Sequence, residues 1–104
     1  MEQLLCREVG GRVAVAMVTE AADGDLHPER VDPDVLRRRQ IALTGTTWVM
    51  LDEVHGVAVF DLDAHSTVAW PLAGVGDIVC GNVVDTAIAV WVADCAPIVL
   101  FGAN

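Results

Sequence analysis

The longest regular feature of the chain is a set of short β-branched runs separated by polar turns. Arg12 to Val18 (RVAVAMV) follows Gly10-Gly11 and reads as a buried strand. A polar stretch from Ala21 to Arg30 then carries Asp23-Gly24-Asp25, which is turn chemistry. Asp32-Pro33-Asp34 supplies an N-cap, a proline at the first helical position and an acidic first turn. The pattern predicts a helix from about Pro33 to Leu43, with Val35, Leu36, Ala42 and Leu43 on its apolar face and arginines toward its C-terminal end. Thr44-Gly45 stops it.

Beyond the helix, Thr47 to Leu51 and Val57 to Asp61 read as strands joined by Asp52 to Gly56. Leu62 to Gly76 is irregular and leads to a short strand around Asp77 to Cys80, closed by a turn at Gly81-Asn82. Thr86 to Ala93 and Ile98 to Phe101 are strand-like runs, apolar on both faces and split at Asp94 to Pro97. The elements predict a mixed α/β (α+β) domain, one helix on a mixed sheet of five to seven short strands. No repeat or linker divides it, so residues 1–104 are expected to form a single domain.

Composition adds one qualification. Hydrophobic residues make up 54% of the 104, mean hydropathy is +0.49 and charged residues are 20%, slightly apolar for a domain of this size. That excess implies apolar surface covered by something else, self-association included. The most apolar stretch, Thr86 to Phe101, is interrupted by Asp94 and Pro97 and is shorter than the roughly 20 residues of a membrane span. Glu2, Arg7 and Glu8 leave no secretory signal pattern, so a cytoplasmic protein without membrane contact is expected. Net charge is −9 and all six cationic residues are arginines, a balance that argues against nucleic acid. Arg37 to Arg39 reads mainly as a solvated helix face, with anion binding the lesser alternative.

Candidate chemistry concentrates in two places. Glu53-Val54-His55-Gly56 puts an imidazole in a connection between strands, and Ala93-Asp94-Cys95-Ala96-Pro97 puts a thiol where an apolar strand breaks. Composition alone reads Cys95 as a small hydrophobe, but Asp94 and Pro97 give it a polar, kinked setting. For His55 the plain alternative is a turn histidine hydrogen-bonded to backbone. Cys6 and Cys80 read as packing residues, and no CxxC pair or disulfide framework is present. His27 and His65 fall in polar loops and are expected to be solvent-exposed. Asp77 and Asp85 are expected to serve turns, and the three tryptophans to anchor the core or an interface.

Taken in order, Glu53-Val54-His55-Gly56, Gly76-Asp77-Ile78-Val79 and Ala93-Asp94-Cys95-Ala96-Pro97-Ile98 resemble the YfiH family, also called multicopper polyphenol oxidoreductases. Its motifs usually read Gln-Val-His-Gly, Gly-Asp-Ala-x-Val-Thr and Ala-Asp-Cys-x-Pro. The resemblance is clear from about Trp48 to Leu100 and weaker upstream. It implies that His55 and Cys95 match two zinc ligands, while the family's second histidine, in a His-x-Gly-Trp-like segment, has no counterpart here. Glu53 replaces the usual Gln and Cys80 the usual Thr, and Ala21 stands where an Arg is common. The resemblance therefore implies the N-terminal part of a larger YfiH-like fold.

The activities it implies are phosphorolysis of adenosine, inosine or methylthioadenosine, and deamination of adenosine, with purine nucleosides and phosphate as partners. A four-copper site draws on about ten histidines, far more than the three here, so one zinc fits better than copper. Three protein ligands would leave a fourth position for a water whose pKa the metal lowers to about 7, a nucleophile for C6 of adenine. Asp94 would either orient a ligand or water, or cap backbone. With two ligands only, activity is expected to be impaired. Two other readings stand beside it: a non-catalytic half-domain that self-associates or pairs with its missing half, and a Cys-His amide hydrolase with His55 as base for Cys95.

Overall fold

A computed structural model describes residues 1–92 and 97–102. Asp94 and Cys95 lie outside the described residues. The chain forms two compact units, Met1–Asp25 with Val92–Asn104, and Leu26–Trp91.

In the first unit, β1 (Glu2–Val9) and β2 (Arg12–Val18) form an antiparallel hairpin in which Val9 faces Arg12 and Glu2 faces Val18. Gly10 (φ 57°) and Gly11 (φ 77°) make the turn, and two positive φ values suit the right-handed twist of the strands. The expected strand is therefore present with a partner that the alternation of Glu2–Val9 does not announce. It is not buried: of its seven residues only Ala14 and Ala16 are even half-covered. After the hairpin, a 3-10 turn at Ala21–Asp23 is tied down by the Met1 amine, which donates to Asp23 Oδ1 at 3.1 Å. Residues 98–101, expected as a strand, have no strand structure, and Ile98 and Leu100 are exposed.

In the second unit, α1 (Pro33–Thr44) begins with Pro33 in its first turn and ends at Gly45 in the left-handed region (φ 80°), whose N–H returns to the Ile41 carbonyl. Of the expected apolar face Leu36 is buried and Val35 and Leu43 are half-buried, whereas Ala42 is exposed; Gln40, outside that face, is fully buried. Nor does the last turn hold a basic residue; Arg37 lies further back, its guanidinium 4.6 Å from the centre of the Trp70 ring.

The remaining strands are β3 (Trp48–Val49), β4 (Leu51–Asp52), β5 (Val59–Asp61), β6 (Gly74–Val75), β7 (Ile78–Cys80) and β8 (Ala87–Ile88). They pair in parallel as β3 with β8, β4 with β6 and β5 with β7. The expected mixed α/β class holds, but the sheet is a set of two-stranded ladders, because each strand runs only two or three residues before the chain turns. Leu26, Leu36, Trp48 and Met50 form the buried core, with Trp70 and Trp91 packed against it, as expected of the tryptophans. Burying Leu36 and Met50 completely contributes about 2 kcal/mol each.

Gln40 joins these parts. Its Oε1 accepts the Trp48 backbone N–H and the Trp70 indole N–H, both at 3.0 Å. Its amide nitrogen faces Met50 Sδ at 3.5 Å.

Candidate functional site

The site is built on the loop between β4 and β5. Asp52 closes β4, and residues 53–58 run without helix or strand until β5 begins at Val59. Such a segment needs partners for its backbone donors, and one carboxylate supplies three. Asp77 Oδ1 accepts the N–H groups of Val54 (2.9 Å) and His55 (2.8 Å), and Oδ2 accepts that of Gly56 (3.0 Å). His55 sits at φ 57°, in the left-handed region, and is exposed. Partial desolvation pushes the Asp77 carboxyl up, but the three N–H donors, with His55 nearby, outweigh it and hold the group below its ordinary value.

Asp77 is itself fixed against both ends of the same loop. The N–H groups of Asp77 and Ile78 donate to the Ala58 carbonyl at 2.9 and 3.1 Å, and that of Gly76 donates to the Asp52 carbonyl at 3.0 Å. Gly76 permits this approach, since a Cβ there would stand 3.1 Å from the Ala58 oxygen. Asp77 does serve a turn, as expected, but one 21 to 23 residues away in sequence. That link is what a reading of the sequence misses; the Gly76-Asp77 pair is its only local signal.

Glu53 has a separate task. Its Oε2 accepts the Trp91 backbone N–H at 3.0 Å, so the loop bearing His55 is tied to the chain two positions before Ala93. A glutamine would present the same acceptor, so the replacement noted above keeps this contact.

The other sequence candidates fall elsewhere. His65 is exposed as expected, stacked on Phe60 with ring centres 4.4 Å apart, its Nδ1 donating to the Asp61 carbonyl at 2.9 Å. It lines a shallow hollow of about 300 Å³ together with Asp85 and Thr47; His55 does not line it. His27 departs from expectation: it is half-buried, packed against the Trp91 ring at 5.2 Å, because Trp91 closes over the core edge beside it. Cys6 and Cys80 were expected to pack, yet both are exposed, because the two-stranded ladders that carry them leave a face uncovered.

As to a metal, no group of three or more His, Cys, Asp or Glu side chains among the described residues could hold one. Of the donors expected, His55 is described and available, and Cys95 falls outside the described residues. Nor is any helix among the described residues long and apolar enough to cross a membrane.

Residues 9–104 match the family model described as multi-copper polyphenol oxidoreductase laccase. No curated protein and no solved structure matches the chain.

Proposed function

The chain belongs to the multi-copper polyphenol oxidoreductase laccase family, the YfiH family, and from that premise we propose that it carries two donors of a zinc-dependent purine nucleoside site. The donors are His55 and Cys95, with Asp94 acting beside them. The observation that carries this reading is the occurrence, in family order and within the matched residues, of the His55, Gly76-Asp77 and Asp94-Cys95 motifs. Their type favours zinc over copper: an imidazole and a thiolate suit tetrahedral zinc, while three histidines in all are too few for a multi-copper cluster.

With His55 and Cys95 among its donors, a bound zinc would supply Lewis acidity for attack on adenosine C6 or for orienting phosphate toward the ribose carbon. The chain's own part is narrower. Asp77 holds the backbone of the loop that carries the exposed His55, and Glu53 ties that loop to the Trp91 N–H. His55 and Cys95 are the two donors assigned here, and zinc affinity reads the contribution of each.

Zinc content and turnover of adenosine, inosine and methylthioadenosine, with and without phosphate, test the reading on the purified chain. His55→Ala and Cys95→Ala are each expected to lower zinc affinity by about tenfold or more. A chain that takes up no zinc, and whose metal content and turnover are unmoved by Cys95→Ala, would contradict it. Amide hydrolysis that persists with chelator and is abolished by thiol alkylation would instead favour Cys95 as a nucleophile with His55 as its base.

A second reading, that the chain self-associates, is favoured by its uncovered apolar side chains. Val57 is 85%, Val75 60% and Leu100 89% exposed. The two readings are compatible, since a surface that pairs need not include the donors.

A further inference from the structure

We propose that Asp77 is the positioning residue of His55, fixing the backbone conformation from which its imidazole is presented. The step from that conformation to metal binding rests on the zinc reading above; the rest stands on geometry alone.

Three successive N–H groups turned toward one point make a concavity that holds an anion. Here the anion belongs to the chain: Asp77 takes the N–H groups of Val54, His55 and Gly56 within 2.8 to 3.0 Å. His55 at φ 57° occupies a region that side-chain-bearing residues visit seldom, although histidine tolerates it better than most. Something must select that conformation. Packing does not, because residues 54–58 are all exposed. A ladder does not, because the loop has no strand structure. Glu53, the loop's own carboxylate, is engaged with the Trp91 N–H.

Asp77 is equipped for the task because its own backbone is anchored to both flanks of the loop. The Gly76 N–H reaches the Asp52 carbonyl before it, and the Asp77 and Ile78 N–H groups reach the Ala58 carbonyl after it. Loop and clamp thus share one frame. The two carboxylate oxygens also have distinct duties, which makes the proposal sharper than a general stabilising role. An asparagine keeps one acceptor for Val54 and His55 but turns its amide toward the Gly56 N–H, donor against donor. Alanine removes all three acceptors.

The metal-free, isotope-labelled chain provides the test by NMR. Asp77→Ala is expected to shift the amide protons of residues 54–56 upfield, and to speed their exchange by roughly tenfold or more, the size of losing a charged acceptor. The His55 Cα and Cβ shifts should leave the left-handed range. Asp77→Asn should disturb Gly56 far more than Val54 and His55, and it carries the test if the alanine variant does not fold. The Trp48 indole and Met50 methyl signals, from the buried core, report folding in both. Unchanged His55 shifts and exchange in Asp77→Ala, or in Asp77→Asn a Gly56 amide as protected as in the parent, would overturn the proposal.

Zinc titration reads the second step. If the parent chain binds zinc, Asp77→Ala should weaken it by about tenfold or more and Asp77→Asn by less. Equal affinities in all three would overturn the link from conformation to metal. A parent chain that binds no zinc would sink the zinc reading and leave the NMR result to decide on Asp77.

Discussion

Gln40 shows how much one side chain can organise. It is fully buried, and its carbonyl oxygen serves a strand N–H and an indole N–H at once. Replacing it with leucine keeps the volume and leaves both donors without that acceptor, so Gln40→Leu is expected to cost about 2 to 4 kcal/mol in urea unfolding. A loss below about 0.5 kcal/mol, within the range of an ordinary surface substitution, would show that these donors find other partners. The Met1 amine and Asp23 act at the same scale through charge. The Glu20 N–H and the amine hold the Asp23 carboxyl below its ordinary value, and the Asp23 hydrogen bond holds the amine above its own. The carboxylate's contribution is present above its unfolded value and fades as pH falls through its lowered folded value. The amine's is present below its unfolded value and fades as pH rises through its raised one. The tie should therefore be strongest between roughly pH 4 and pH 8. Protection of the Glu20 and Asp23 amides against pH measures this; a flat profile from acid to alkaline pH would rule it out.

Among the elements, the hairpin depends on its turn. Gly11 sits at φ 77°, and a Cβ there would meet nothing within 4 Å, so Gly11→Ala is expected to cost about 1 kcal/mol through backbone strain alone. Gly11→Asn should cost less, because asparagine tolerates that region. Amide exchange in β1 and β2 would separate the two, and equal exchange for alanine and asparagine would refute the strain account. The elements also differ in how far the sequence announced them. Local chemistry made α1 readable at both ends, through Pro33 and Gly45, and placed His55 correctly in a connection. The apolar face of α1 was read correctly at Val35, Leu36 and Leu43, but Gln40 was missed because pattern reading turns a glutamine outward, while the partners that hold it inside lie 8 and 30 residues on. β1 went unnoticed since Glu2–Val9 does not alternate. The Asp77 clamp stayed hidden for the same reason as Gln40: its partners are distant in sequence, and only folding brings backbone donors to a carboxylate.

At the scale of the whole chain the balance of apolar residues becomes a prediction. Among the described residues Leu26, Leu36, Trp48, Met50, Leu51 and Leu62 are the buried large apolar side chains, a small core for a chain that is 54% hydrophobic. In the first unit Leu4, Val13 and Leu100 lie largely in solvent, and in the second Val57, Val59 and Val75 do. Burial of such side chains is favourable at about 25 cal/mol per Å², so association is driven wherever geometry allows two copies to meet. Opposing it is a net charge of −9, whose repulsion reaches about 10 Å at 0.1 M salt and shortens as salt rises. The two terms respond oppositely to ionic strength, which makes their competition measurable. In sedimentation experiments the average mass should rise above 11.0 kDa with protein concentration, and rise further when salt is added. Val57→Asp with Val75→Asp should reduce this, by adding charge and removing apolar area together. A chain that stays monomeric at every concentration and salt would mean that its exposed valines are tolerated rather than used, and self-association would have to be abandoned.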